Sequence, residues 1–237
     1  MVRWFRDPTG RFHERPHYEA KEIDNECEGI VVRFLTKLHG RVSYPVATDD
    51  LEKLIETKAH DLDMYADLLA DDADVEGVTR FRRSRKPSVE ISQSLSEAEN
   101  RKNRLRTTLT HEFGHVHFHD SLFQMKFSSA DLFAKPNDER IVCKRDRMID
   151  APVVDWMEWQ ACYASGAFLM PKSAVVQMVE EFRRENNLAG EIAVGHELSA
   201  LLMGRVKERF DVSGDASRVR LIKLGFLTTG RSQEKLF

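Results

Sequence analysis

The sequence predicts an α+β fold, a small antiparallel sheet packed on helices and followed by a helical C-terminal subdomain. Three observations carry this reading. Ile30, Val31, Phe34, Leu35 and Leu38 recur at spacings of three and four, the period of an amphipathic helix. Gly77-Val78-Thr79-Arg80-Phe81 and Ser88-Val89-Glu90-Ile91-Ser92 each alternate apolar with polar positions across a turn segment of Arg, Lys, Ser and Pro, the pattern of a β-hairpin. Helical periodicity then dominates the rest of the chain.

Taken in order, residues 1–22 are rich in Arg, His, Pro and Glu with little periodicity, and read as a poorly ordered or loosely docked N-terminal arm. The main domain is expected over residues 23–190 and the helical subdomain over 191–237. The first helix runs from Glu26 to Leu38 and stops at Gly40. A second starts near Asp49, where Asp49-Asp50-Leu51-Glu52 offers a variant of the capping box. After the hairpin come helices at about 101–119, 155–168, 172–187, 197–210 and 215–225. Ser121–Val154 shows no clear period and is long for a connection inside a compact domain; such loops often carry function.

Composition narrows the function classes. The 237 residues allow one large domain or two small ones. With 36 Lys and Arg against 39 Asp and Glu, the net charge of -3 argues against a protein built to coat nucleic-acid phosphate or anionic lipid. The longest uncharged run, Trp159 to Pro171, is too short to span a bilayer about 30 Å thick, so no membrane partner is expected. Met1-Val2-Arg3-Trp4-Phe5-Arg6 lacks the apolar stretch of a secretory signal, and a cytoplasmic location is expected. Cys27, Cys143 and Cys162 are odd in number and irregular in spacing, which leaves free thiols or a metal role rather than a disulfide framework.

The sharpest motif is His111-Glu112-Phe113-Gly114-His115. On a helix, residues four apart lie about 40° from one another, so both imidazoles can reach one ion, with Glu112 beside them to hold a water. Leu105, Leu109, Phe113 and Val116 form a separate apolar stripe that can bury the same helix. A catalytic zinc takes three protein ligands and keeps one position for water. The candidate third ligand is Glu158, because Ala161, Cys162 and Ser165 on its side of a helix would allow a close approach to the histidine helix. Asp120, Asp131, Asp138, Glu139, Asp146, Asp150 and Asp155 are rivals, none in a comparable small-residue helix. His117 and His119 read as cleft lining or solvated surface, and Trp156, Trp159 and Phe168 as core. The Arg80–Lys86 run reads as a solvated hairpin turn, with contact to nucleic acid or an acidic partner left open.

Three blocks in order resemble the ImmA/IrrE-type metallopeptidases of bacteria and their mobile elements. These are Arg104 to His115; Glu158-Trp159-Gln160-Ala161 with Phe168-Leu169-Met170-Pro171; and Phe210-Asp211-Val212-Ser213 with Arg220-Leu221-Ile222-Lys223-Leu224-Gly225. The resemblance covers roughly Glu28 to Phe226. It implies a zincin-like core, zinc held by His111, His115 and Glu158, and Glu112 as general base. It also implies a protein substrate, a helix-turn-helix transcriptional repressor, whose cleavage would switch on a mobile-element, stress or defence operon. The chain departs from the family at Cys162, where Asn more often follows the Ala. Phe210-Asp211-Val212-Ser213 looks like half of a helix-turn-helix, a weak signal that in this family belongs to the peptidase fold. The competing class is a non-enzymatic regulator that keeps zinc as a structural clip and binds a repressor or nucleic acid. Glu112 separates the two, since a structural site has no use for a carboxylate between its ligands. Finally, Cys143 is a candidate fourth zinc ligand that would occupy the water position and hold the enzyme latent, with Lys144 and Arg145 favouring its thiolate.

Overall fold

The structure, a computed structural model, describes residues 3–68, 74–129, 138–144 and 155–229. Strands β1 (Arg3–Arg6) and β2 (Glu14–His17) pair antiparallel, and α1 (Ala20–His39) and α2 (Thr48–Glu56) follow. Next come β3 (Asp61–Ala66), β4 (Val75–Arg82), β5 (Ser88–Ser92) and a short α3 (Gln93–Ser96). The long α4 (Lys102–Ser129) leads to β6 (Asp138–Lys144). The chain continues as α5 (Trp156–Leu169), α6 (Lys172–Glu185), β7 (Ile192–Ala193), α7 (Glu197–Phe210), α8 (Gly214–Lys223) and β8 (Leu227–Thr228).

The expected α+β class holds, but the sheet is mixed rather than antiparallel. Its order is β3-β5-β4-β6, and β3 runs parallel to β5 while β4 is antiparallel to both its neighbours. The expected hairpin is β4–β5. Helix α4 lies between this sheet and α5. Leu105, Leu109, Phe113 and Val116, the expected stripe, are buried in the main core with residues of α1, α2 and α5 to α8. The helix runs ten residues past its expected end because Leu122, Phe123 and Phe127 continue at helical spacing on another face. They pack with Phe12, Phe81, Ile141, Trp156 and Met157 in a second cluster.

The N-terminal arm is therefore docked, against the expectation of a loose segment. Its hairpin sends Phe12 into the second cluster, and Trp156 Nε1 donates to Asp7 Oδ1 at 3.1 Å. At the other end, Leu202, Val206, Phe210 and Leu221 of the 191–237 segment share the main core. Two buried arginines pin this segment. Arg106 of α4 donates to the carbonyls of Val46, Phe210 and Asp211, and Arg220 of α8 donates to the Met170 carbonyl and pairs with Asp24 at 2.7 Å. The Phe210–Ser213 turn is thereby part of the folded core, with Phe210 and Val212 buried. No helix among the described residues is long and apolar enough to cross a membrane.

Candidate metal centre

Helix α4 carries His111 and His115 one turn apart, and α5 carries Glu158 in its first turn, where Asp155 caps the helix through the Glu158 N–H. The two helices approach closely because α4 presents Gly114. A Cβ there would lie 3.1 Å from the Ala161 Cα, tighter than ordinary packing allows. Small residues on both helices thus bring the carboxylate to the imidazoles, as the sequence pattern anticipates.

The Nε2 atoms of His111 and His115 are 3.0 Å apart, and the Glu158 carboxylate reaches them at 3.3 Å and 3.2 Å. A tetrahedral ion with bonds of about 2.0–2.1 Å holds its ligands about 3.3–3.4 Å apart, so two imidazole nitrogens and a carboxylate that sets one oxygen beside each of them suit one ion. Both histidines are fully buried. Burial would raise the Glu158 pKa, but His115 and His111 outweigh it and hold the carboxyl well below the usual carboxylate range.

Glu112 is fully buried. Its Oε2 accepts from Thr79 Oγ1 at 2.5 Å, and its Oε1 has no hydrogen-bond partner among the described residues. Gly77 of β4 makes room for that oxygen, since a Cβ at this position would stand 2.6 Å from Oε1. Burial raises the Glu112 pKa, with His111 and His115 pulling against it. A buried polar atom without a partner carries a cost unless a ligand or substrate meets it.

Cys143, expected in a loop, sits on β6 opposite Gly77, where its sulfur joins His111 and Glu112 in a second group compact enough for a metal. Burial pushes its thiol up to about 12, so the protein alone does not favour the thiolate as expected. The side chains of Lys144 and Arg145 lie outside the described residues. Cys162 stands 3.8 Å from His111 Nδ1.

The other candidates separate clearly. Asp138 pairs with Arg82, Glu139 with Arg11 and Lys126, and Asp120 accepts from Gln124. Asp155 serves as the α5 cap, while Asp131, Asp146 and Asp150 lie outside the described residues. Trp156 and Phe168 are core, with Trp159 packed against it. Within the Arg80–Lys86 run, Arg80 pairs with Glu90, and Arg83 and Arg85 at the turn are exposed. His117 faces Glu26 at 3.1 Å, and burial lowers its pKa to about 4.

His119 departs from the expectation of lining or surface. It is fully buried, and its Nδ1 lies 3.0 Å from His115 Nδ1. Its Nε2 lies 3.0 Å from Gln160 Oε1, and Gln160 Nε2 donates to the Pro16 carbonyl at 3.2 Å. Burial, reinforced by the neighbouring His115, drives the His119 pKa well below its ordinary value and keeps the ring neutral. The i, i+4 spacing from His115 was the only trace of this contact in the sequence.

A helix with two histidines facing a carboxylate from the next helix, and a buried glutamate between them, defines a metallopeptidase-type centre. The model of the peptidase M78 family, described as an IrrE N-terminal-like domain, matches residues 66–221, and the chain belongs to this family of metal-dependent peptidases. No curated protein and no solved structure matches the chain.

Proposed function

We propose that the protein is a zinc-dependent endopeptidase that cleaves a helix-turn-helix transcriptional repressor and so derepresses a mobile-element, stress or defence operon. The observation that carries the reading is the Glu112 Oε1, buried beside the His111–His115–Glu158 cage and without a hydrogen-bond partner among the described residues. His111, His115 and Glu158 hold the ion. When bound, zinc supplies the Lewis acidity that polarises the scissile carbonyl and acidifies the attacking water. Glu112 takes the proton of that water at Oε1 and returns it to the leaving nitrogen, while Thr79 anchors the other carboxylate oxygen. A pKa raised by burial makes the carboxylate a better proton acceptor than an exposed glutamate. Incubating the protein with the repressor encoded beside its gene tests the reading. Site-specific cleavage that requires zinc and Glu112 supports it; zinc binding and repressor binding without cleavage would favour the non-enzymatic regulator.

The Gly77 position gives a second check. Gly77→Ala is expected to displace the Glu112 carboxylate, lowering turnover at least tenfold while zinc stoichiometry stays unchanged, because the three ligands sit elsewhere. Steady-state kinetics and metal analysis on the same preparation read both quantities.

Regulation by Cys143 is a further reading favoured by one observation, the grouping of its sulfur with His111 and Glu112. Ligation would deprotonate the thiol despite its burial. Held in this way, the sulfur occupies the position meant for water and keeps the enzyme latent. Cys143→Ser is then expected to raise basal cleavage and to blunt activation by mild peroxide. Identical basal rates and peroxide responses in the two proteins would remove this role.

A further inference from the structure

The hydrogen bonds behind His115 have a fixed direction. The Pro16 carbonyl can only accept, so Gln160 must turn its amide N–H toward it, at 3.2 Å. That orientation leaves Gln160 Oε1 to accept from His119 Nε2–H at 3.0 Å. A neutral imidazole protonated on Nε2 has a bare Nδ1, which here faces His115 Nδ1 at 3.0 Å and can only accept. His115 therefore carries a proton on Nδ1, and its Nε2 faces His111 and Glu158, where it is free to ligate once a metal replaces any proton there. All four groups are buried: Pro16, Gln160, His119 and His115.

From this we propose that His119 and Gln160 are positioning residues for the metal centre, locking His115 in the one tautomer able to ligate through Nε2, and that the N-terminal hairpin completes the centre by supplying the Pro16 carbonyl. The proposal rests on the reading of His115 as a zinc ligand. It assigns a role to a segment outside the matched residues 66–221. Trp156 fastens that segment through Asp7, and Arg15 stacks over the Trp156 ring at 5.4 Å, so the carbonyl is held against the same helix that carries Glu158 and Gln160.

Asn and Gln substitutions at position 119 separate a directional relay from simple space-filling. The amide oxygen of Asn falls where the His Nδ1 lone pair stands, whereas Gln places its polar group at the Nε2 position. Zinc affinity, measured by chelator competition on the whole protein, is expected to fall about 10- to 100-fold in His119→Phe and in His119→Gln. In His119→Asn it should stay within a few-fold of wild type. Nitrogen-15 NMR of the metal-free wild type should find His115 protonated on Nδ1, and His119→Phe should lose that preference. Should His119→Phe fail to fold, Gln160→Leu, one bond further from the ligand, carries the same test with a smaller expected loss. The proposal is overturned if His115 Nδ1 carries no proton in the metal-free wild type. Wild-type zinc affinity in the Phe variant, or in its Leu substitute, overturns it equally, as does an Asn variant no better than Gln. His115→Ala isolates the underlying reading: if that variant still binds zinc normally, His115 is not a ligand and the relay falls with it. If it loses zinc while the position-119 variants do not, only the relay fails.

Discussion

Glu112→Gln is expected to keep its full complement of zinc and to lose cleavage by about 10²- to 10⁴-fold, the usual worth of a positioned general base. The substitution is nearly isosteric. Thr79 Oγ1 can still donate to an amide oxygen at the place of Oε2, so the side chain keeps its anchor on β4. The amide nitrogen then takes the place of Oε1, a donor where an acceptor is needed, and no proton can be received from the attacking water. Glu112 itself is fully buried, so the amide is not exchanged for a solvent-exposed group. Metal analysis and a gel-based cleavage assay decide the matter together. Cleavage near the wild-type rate would take Glu112 out of the mechanism and restore the structural-clip reading of the zinc.

How much of this was legible in the sequence follows from which constraints are local. The His111–His115 pair and the stripe from Leu105 to Val116 are set by helical period, and both stand where the spacing places them. Glu158 was legible for a related reason, since the small residues around it announce a close helix contact, which Gly114 and Ala161 make. Features that depend on distant segments were not legible. Strand β6 hides inside a charged stretch because, among its described side chains, only Ile141 and Cys143 are buried, too few to show a period of two. The parallel pairing of β3 with β5 leaves no local turn signal, being made across the intervening β4. The N-terminal hairpin contributes Phe12 and Asp7 to contacts with α4 and α5 more than a hundred residues later, and without those partners its composition reads as an unanchored arm. Gly77 and His119 belong to the same class. Each looks ordinary along its own element and acquires a role only where Glu112 or Gln160 arrives from another.

Glu158→Ala is expected to lose zinc outright at micromolar metal, with affinity falling more than about 100-fold, beyond what loss of a residue that merely orients a ligand costs. Cleavage should disappear with it. Two imidazoles alone leave the ion under-coordinated, and among the described acids of the loop and of α5, Asp155 is committed to the α5 cap and Glu139 is paired with Lys126 and Arg11. The variant also has a signature in the metal-free protein. There Glu158 is held well below the ordinary carboxylate range, because burial is outweighed by His115 and His111. A carboxyl depressed in the folded state contributes stability above its unfolded pKa and loses it as pH falls through the folded value. Metal-free Glu158→Ala should therefore be less stable than metal-free wild type at neutral pH, with the gap closing in strong acid. Denaturant titrations at several pH values read that gap directly. Unchanged zinc stoichiometry would exclude Glu158 as the third ligand, and a pH-independent stability difference would show that the substitution acts through packing against Ala161 and its neighbours rather than through the charge.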